Sequence, residues 1–242
     1  MAVITLSRQM GSGGEEIARR VAEALDLQVV DRERLRLAAE KAGVPRVAFE
    51  ELTYEGRRTL VEEMLRILQS MPAIPVAPQA SRQEVIGPFR LPFGGAFASP
   101  IPPVQSIAEA MERYLEIVEM VMRNLAAAGN VLFLGQGGQA VLRDRPDALH
   151  VLVVADFQDR VATIAEEMEL TMREAERRVR ANDRARADFL RRHYRLDWLD
   201  PQHYHLVLNT SLLGREAAAQ TIVAAARAVA GGSGDAPAAP GE

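Results

Sequence analysis

Short apolar runs recur along this chain, and stretches of helical periodicity separate them. Residues 3–6, "LQVVD", "NVLFLG", "ALHVLVVAD" and "YHLVLNTS" each have the length and branched-apolar content of a strand. Strands that alternate with helices build a parallel sheet covered on both faces. Ligands of such sheets bind outside the carboxyl ends of the strands. Those ends carry the glycines of "GSGG" at 11–14, Asp31, "GQGG" at 135–138, Asp156 and "NTS" at 209–211.

The helices can be placed from their apolar spacing. Residues 14–26 put Ile17, Val21, Ala22 and Leu25 on one face. Residues 32–42 read as a helix that stops at Gly43, with Pro45 beyond, and another spans about 47–69. A capping box at Ser106 and Glu109 predicts a helix start, and Met111, Leu115, Val118, Met122 and Leu125 then form its core stripe before Gly129 ends it. Helix follows over about 158–168. A second capping box, Thr171 with Glu174, opens an arginine-rich helix running toward Tyr194, and a last helix covers about 214–230. Between these, residues 71–104 are proline-rich and too long for a simple connection, so about 44–104 reads as an inserted helical and proline-rich arm. Residues 1–230 then form one domain, and 231–242 are a low-complexity tail expected to be disordered.

Composition removes several functions. The chain has 242 residues, no cysteine and a net charge of -4, which excludes thiolate catalysis and any general attraction to nucleic acid or anionic membrane. The amino-terminal stretch reads as a buried strand rather than a leader, so a cytoplasmic protein is expected. Lys41 is the one lysine among 29 basic residues, so phosphate ligands must be arginines or backbone amides. Oligomeric state is not encoded legibly.

The loop between the first strand and helix, "SRQMGSGGEEIA", admits three readings. Gly11, Gly13 and Gly14 allow a tight turn, and the helix behind them aims free amides and its positive dipole end at the loop. Set against G-x-x-x-x-G-K-[ST] over 8–15, only Gly13 matches, with Arg8, Gly14 and Glu15 at the other positions. As a dinucleotide loop, Gly11, Gly13 and Asp31 fit, but Glu16 stands where a third glycine is needed. The third reading is a plain strand-to-helix turn. The stretch 173–192 carries eight arginines and four acids and likewise has two readings. One is a solvated face with pairs such as Glu174 and Arg178. The other has Asp183 and Arg186, three apart, reading a base edge or phosphate together with Arg160. His203 and His205 are read as structural, and no nucleophile–base triad is apparent.

Taken in order, "ITLSRQMGSGGEEIARRVAEAL", "VVDRERL", "VLFLGQGGQAVL", "NDRARADFLRRHYRLDW" and "YHLVLNTSLLG" resemble the cytidylate kinase-like family, a branch of the P-loop nucleoside monophosphate kinases. The resemblance implies a P-loop NTPase-type α/β fold: a parallel five-stranded sheet flanked by helices, with an inserted arm and a helical lid. It implies transfer of the ATP γ-phosphoryl group, with Mg2+, to a pyrimidine monophosphate such as CMP. Gly11, Ser12, Gly13, Gly14 and Glu15 would then lie at the ATP phosphates, with Arg8 supplying the charge of the missing lysine. Asp31 would lie near the acceptor phosphate or a magnesium-bound water. Gln136, Asp183 and Arg186 would face the acceptor, and Arg160 would stand at the base of the lid. No metal ligand is implied with certainty of position. The chain departs from the family at Glu15, where a basic residue is usual, and at Gln136, where the glycine turn usually holds arginine. These departures raise a second reading, a nucleotide-binding module that no longer transfers phosphate. A structural or partner-binding protein is a third.

Overall fold

In the computed structural model, residues 2–41 and 104–231 are described. The expected helix at 47–69, nearly all of the inserted arm and the tail lie outside the described residues.

The described residues form a five-stranded parallel sheet in the order β2-β3-β1-β4-β5. Its strands are β1 (Val3–Arg8), β2 (Gln28–Val30), β3 (Val131–Leu134), β4 (Ala148–Val154) and β5 (Leu206–Asn209). The helices are α1 (Gly14–Leu25), α2 (Arg32–Lys41), α3 (Val104–Ala128), α4 (Gly138–Val141), α5 (Phe157–Glu167), α6 (Met172–Tyr194), α7 (Thr210–Leu213) and α8 (Arg215–Gly231).

Strand periodicity splits the core in two. Ile4, Leu6, Leu132, Leu134, Leu149, Val151 and Val153 pack on one side against Ile17, Ala18, Val21 and Ala22 of α1 and Ala218, Ala219, Ile222 and Ala226 of α8. Val3, Val131, Phe133 and Ala148 face the other side, where Leu35 of α2 and Tyr114, Val118, Met122 and Ala126 of α3 cover them. Alanines on α8 let that helix lie close to α1, and fully burying each larger apolar side chain contributes about 1.5–3 kcal/mol.

Two details of α3 depart from expectation. It starts at Val104, so Ser106 is inside the helix rather than at its cap. Its buried stripe runs 114, 118, 122, 126, with Leu115 and Leu125 only partly covered, because the i,i+4 row centred on Tyr114 is the one that meets the sheet. The second capping box forms as expected: Thr171 Oγ1 accepts from Glu174 N at 3.3 Å, and Glu174 Oε2 accepts from Thr171 N at 3.1 Å. With its carboxylate turned to that cap, Glu174 leaves the i,i+4 pairing of the helix surface to Glu176 and Arg180, 2.9 Å apart.

Some polar side chains on the second face meet within the sheet. Thr5 Oγ1 and His150 Nδ1 share a hydrogen bond of 2.8 Å, and His205 Nδ1 accepts from the His150 amide at 2.9 Å. His205 thus pairs with the sheet, His203 lies 4.0 Å from Asp200, and no described group of three or more His, Asp or Glu could hold a metal. Burial, then the charge of the neighbouring His205, outweighs a backbone hydrogen bond at Leu142 and brings the His150 pKa down from 6.5 to about 4. The folded protein therefore keeps His150 neutral while the unfolded chain takes up its proton. Stability from this site is complete above pH 6.5 and falls as pH drops from 6.5 toward 4. Urea midpoints should decline across that window, and His150→Asn should flatten the decline. An identical slope in the variant would assign it to other groups.

Candidate functional site

The sheet order places β1 between β3 and β4, so a crevice opens at the carboxyl end of β1. The loop 9–13 fills its floor. Gln9 N donates to Val153 O at 3.0 Å, and Gln9 Oε1 accepts from Ala155 N at 3.1 Å, tying the loop to β4. Thr210 Oγ1 lies 3.0 Å from Ser12 O and 3.2 Å from Val154 O, tying it to the end of β5. Ser12 is buried, and its Oγ donates to Gln9 O at 2.8 Å. Its side chain therefore shapes the turn, and so does its backbone, since Ser12 N donates to Gln9 O at 3.2 Å and Ser12 O pairs with Thr210.

Gly11 and Gly13 hold φ of 80° and 76°, a region costly for other residues. Gly13 caps α1 without a side-chain hydrogen bond, so the first amides of the helix stay available to an anion. Each loop glycine also packs against an arginine, Gly11 against the backbone of one and Gly13 and Gly14 against the side chains of two others. A Cβ on Gly11 would lie 2.6 Å from Arg160 O; on Gly13, 2.5 Å from Arg215 Nε; on Gly14, 2.5 Å from Arg8 Cβ. Arginines from three separate elements thus approach a loop that has no lysine.

Each of these cations is held. Arg8 Nε donates to Glu15 Oε1 at 2.9 Å, and its Nη2 lies 2.8 Å from the same oxygen. Burial raises the Glu15 pKa, but the charge and hydrogen bond of Arg8, its own backbone amide and the charge of Arg186 together bring it below the ordinary value. Arg215 Nη1 donates to Glu16 Oε2 at 2.9 Å, and Arg20 binds the same carboxylate at 2.7 Å while also pairing with Glu216. The hydrogen bonds from Arg215 and Arg20 hold Glu16 below the usual carboxylate range. Both glutamates at the start of α1 are therefore partnered with arginines, so neither meets an anion as an unopposed negative charge.

Arg160 opens α5 with its side chain only 5% exposed. Its Nη1 donates to both oxygens of Asp183, at 3.1 and 2.9 Å, and its Nε donates to Ala155 O at 3.2 Å. The Asp183 carboxylate thus faces Arg160. Arg186, one helical turn on, points elsewhere: its guanidinium carbon is 5.5 Å from the Trp198 ring, and its Nη1 would be 4.0 Å from a Cβ on Gly135. Asp183 and Arg186 share a helix but serve two places in the site.

After β3 the chain turns through Gly135, Gln136 and Gly137, with φ of 78°, 58° and 71°. Three consecutive left-handed residues are rare, and a non-glycine among them marks strain of the kind found at ligand clamps. Gln136 is half-buried there. Arg8 Nη1 would touch a Cβ on Gly135 at 2.6 Å, so Arg8 bridges the two glycine turns. Asp31 ends β2, and its Oδ1 accepts from Arg34 N at 3.0 Å, capping α2. Arg215, Gln139 and Trp198 join the site without being expected from the sequence. Arg215 follows a glycine after the last strand in the sequence, and no motif distinguishes it from the other arginines.

The sequence matches the cytidylate kinase-like family over residues 3–212, and the chain belongs to that family. Its fold is α/β, with the five-stranded parallel sheet just described. Among curated proteins, no sequence relative matches. Among solved structures, an uncharacterized protein from Eubacterium ventriosum is similar at 12% identity and a TM-score of 0.61, covering 94% of this chain and 99% of its own. TT1252 from Thermus thermophilus has 17% identity, a TM-score of 0.45 and coverage of 93% and 97%. Shikimate kinase from Acinetobacter baumannii in complex with shikimate has 14% identity, a TM-score of 0.43 and coverage of 92% and 91%. The first of these likenesses concerns the fold alone. No described helix is long and apolar enough to cross a membrane.

Proposed function

We propose that the protein transfers the γ-phosphoryl group of ATP to a nucleoside monophosphate, with CMP as the acceptor. The observation that carries this reading is the packing of the Arg8 and Arg215 side chains on a glycine loop whose Met10 O also meets Arg160 Nη1, at the mouth of the sheet, in a member of the cytidylate kinase-like family. An acceptor phosphate oxygen would attack the γ-phosphorus as the bond to the β–γ bridging oxygen breaks and ADP leaves. Catalysis of that step is chiefly positioning and charge neutralisation. The free amides at the start of α1 would cradle the ATP phosphates, and Arg8 would neutralise the charge that the P-loop lysine meets elsewhere. Arg186 would bind the acceptor phosphate, with Gln136 and Asp31 beside it. Asp183, committed to Arg160, would reach the acceptor base only with the oxygen edges that arginine leaves open. Mg2+ keeps several waters and leans on substrate phosphates, so it fits a site whose described residues form no carboxylate cluster.

A coupled assay of ADP release with CMP, UMP, dCMP, AMP and GMP tests the reading. Turnover is expected with CMP above the purine monophosphates. Measurable ATP binding with no turnover on any acceptor would sink it. That outcome would favour a second reading, a nucleotide-binding module, which the Arg8–Glu15 contact supports because it occupies the cation a transferring phosphate needs.

A further inference from the structure

The chain contains one tryptophan, Trp198, and the structure buries it to 2% exposure beside Leu152 and Leu190. The Arg186 guanidinium carbon stands 5.5 Å from its ring centroid, inside the ~6 Å reach of a cation–ring attraction. Such an attraction strengthens where water is excluded. The same guanidinium reaches the Gly135 turn, and its charge acts on Glu15 at the start of α1. Trp198 is therefore behind Arg186, and the crevice is in front of it.

The backbone that carries the ring is itself held. Trp198 O accepts from Tyr204 Oη at 2.7 Å. Tyr204 Oη in turn accepts from Gln139 Nε2 at 3.2 Å, and Gln139 Oε1 accepts from Ser7 Oγ at 3.0 Å. Burial pushes the Tyr204 hydroxyl up to about 12, so it keeps the proton it donates. This chain of contacts starts at Ser7, next to Arg8, passes through α4 just after the strained glycine turn, and ends at the backbone of Trp198, whose ring meets Arg186. Ser7 and Gln139 are both buried, so the chain is shielded from water. Every polar atom in it has a donor or acceptor role filled, which is the condition for a buried network to rigidify its surroundings.

We propose that Trp198 is a positioning residue: it seats the Arg186 guanidinium at the Gly135 turn so that the cation faces the acceptor phosphate. The kinetic part of this inference rests on the kinase reading above; the seat itself does not. Trp198 touches no substrate. It acts by narrowing the directions that a long, flexible arginine can take, and a pre-oriented cation loses less freedom when the phosphate arrives.

Two measurements test it. The first is a double-mutant cycle of Trp198→Leu and Arg186→Met, read by urea unfolding of the full chain. The two changes should be non-additive, because the residues interact directly. Additive effects overturn the seat, whatever the activity. The second is CMP kinetics. Trp198→Leu should raise KM for CMP about tenfold, as loss of a desolvated cation–ring contact allows, and Trp198→Phe should recover most of it. The kcat should stay within about twofold, since the contact is ground-state binding. A fall in kcat with KM unchanged would overturn the positioning role. Absence of turnover in the unchanged protein, alongside a non-additive cycle, would overturn the kinase reading and retain the seat.

Discussion

Asp183→Ala is expected to cost about 3–5 kcal/mol of unfolding free energy, toward the lower end because Asp183 keeps a quarter of its exposure. The cost comes from Arg160. Its guanidinium is 5% exposed and loses both carboxylate oxygens at once, while retaining Ala155 O at 3.2 Å and a long contact to Met10 O at 3.5 Å. A buried cation left with carbonyls and the Phe157 ring, 5.6 Å away, has no means of shedding its charge, because arginine does not deprotonate in proteins. The pair itself need not be worth that much. Replacing both partners by apolar residues of similar size is often neutral or stabilising, so Arg160→Met with Asp183→Leu should recover most of the loss. Urea denaturation with a shared m-value measures all three proteins. A loss below about 1 kcal/mol in Asp183→Ala would place the pair in the screened, surface class. The damage should also reach the loop: Arg160 O packs where a Gly11 Cβ would be, and Arg160 Nη1 holds Met10 O, so loosening α5 loosens the turn.

That coupling shows where sequence reasoning reached and where it stopped. The strand-loop-helix opening was legible because local rules determine it: positive-φ glycines, a helix start, and an apolar face at 17, 21 and 22 that the fold buries. The parallel order followed from alternation, and Thr171 with Glu174 announced a cap that forms. What the residues do to one another was less legible, because those contacts cross the chain. Arg160 meets Met10, Ser7 meets Gln139, and Thr210 meets Ser12, at separations of 150, 132 and 198 residues. With so many arginines, residue type alone cannot single out Arg215. Asp183 and Arg186 illustrate the limit more sharply. Three residues of helix put them on one side of α6, yet the carboxylate turns to Arg160 and the guanidinium to Trp198. Spacing placed the backbones together; tertiary partners separated the functional ends. Glu15 and Glu16 carry the same lesson. As sequence they are two negative charges beside a phosphate loop, but in the fold each is an arginine's counter-ion.

Arg8→Ala is expected to lower ATP-dependent turnover by on the order of a hundredfold or more, the size of effect seen when one donor to a developing oxyanion is removed. Arg8 is well placed for that role: its stem passes Gly14 at the start of α1, and its Nη1 reaches the Gly135 turn. The obstacle is Glu15, which holds the guanidinium at 2.8 Å. A phosphate that takes Arg8 must displace a carboxylate, so part of the binding energy is spent on that exchange. Glu15→Gln keeps the side-chain shape and removes the competing charge, and Glu15→Arg goes further by adding a cation. Both should tighten ATP binding, with arginine ahead of glutamine. The gain should shrink as salt rises, since the Glu15 side chain is 64% exposed and its field is screened. Isothermal titration of ATP at two salt concentrations separates the cases. Weaker binding in Glu15→Gln would reverse the assignment, making Glu15 a contributor to nucleotide binding, through the metal, rather than a competitor. If instead Arg8→Ala binds ATP as tightly as the unchanged protein and turns over at the same rate, the charge of the missing lysine must come from Arg215 or Arg160. The Arg215 guanidinium flanks Gly13 and Arg160 Nη1 lies 3.5 Å from Met10 O, so the distinction maps which edge of the loop meets the triphosphate.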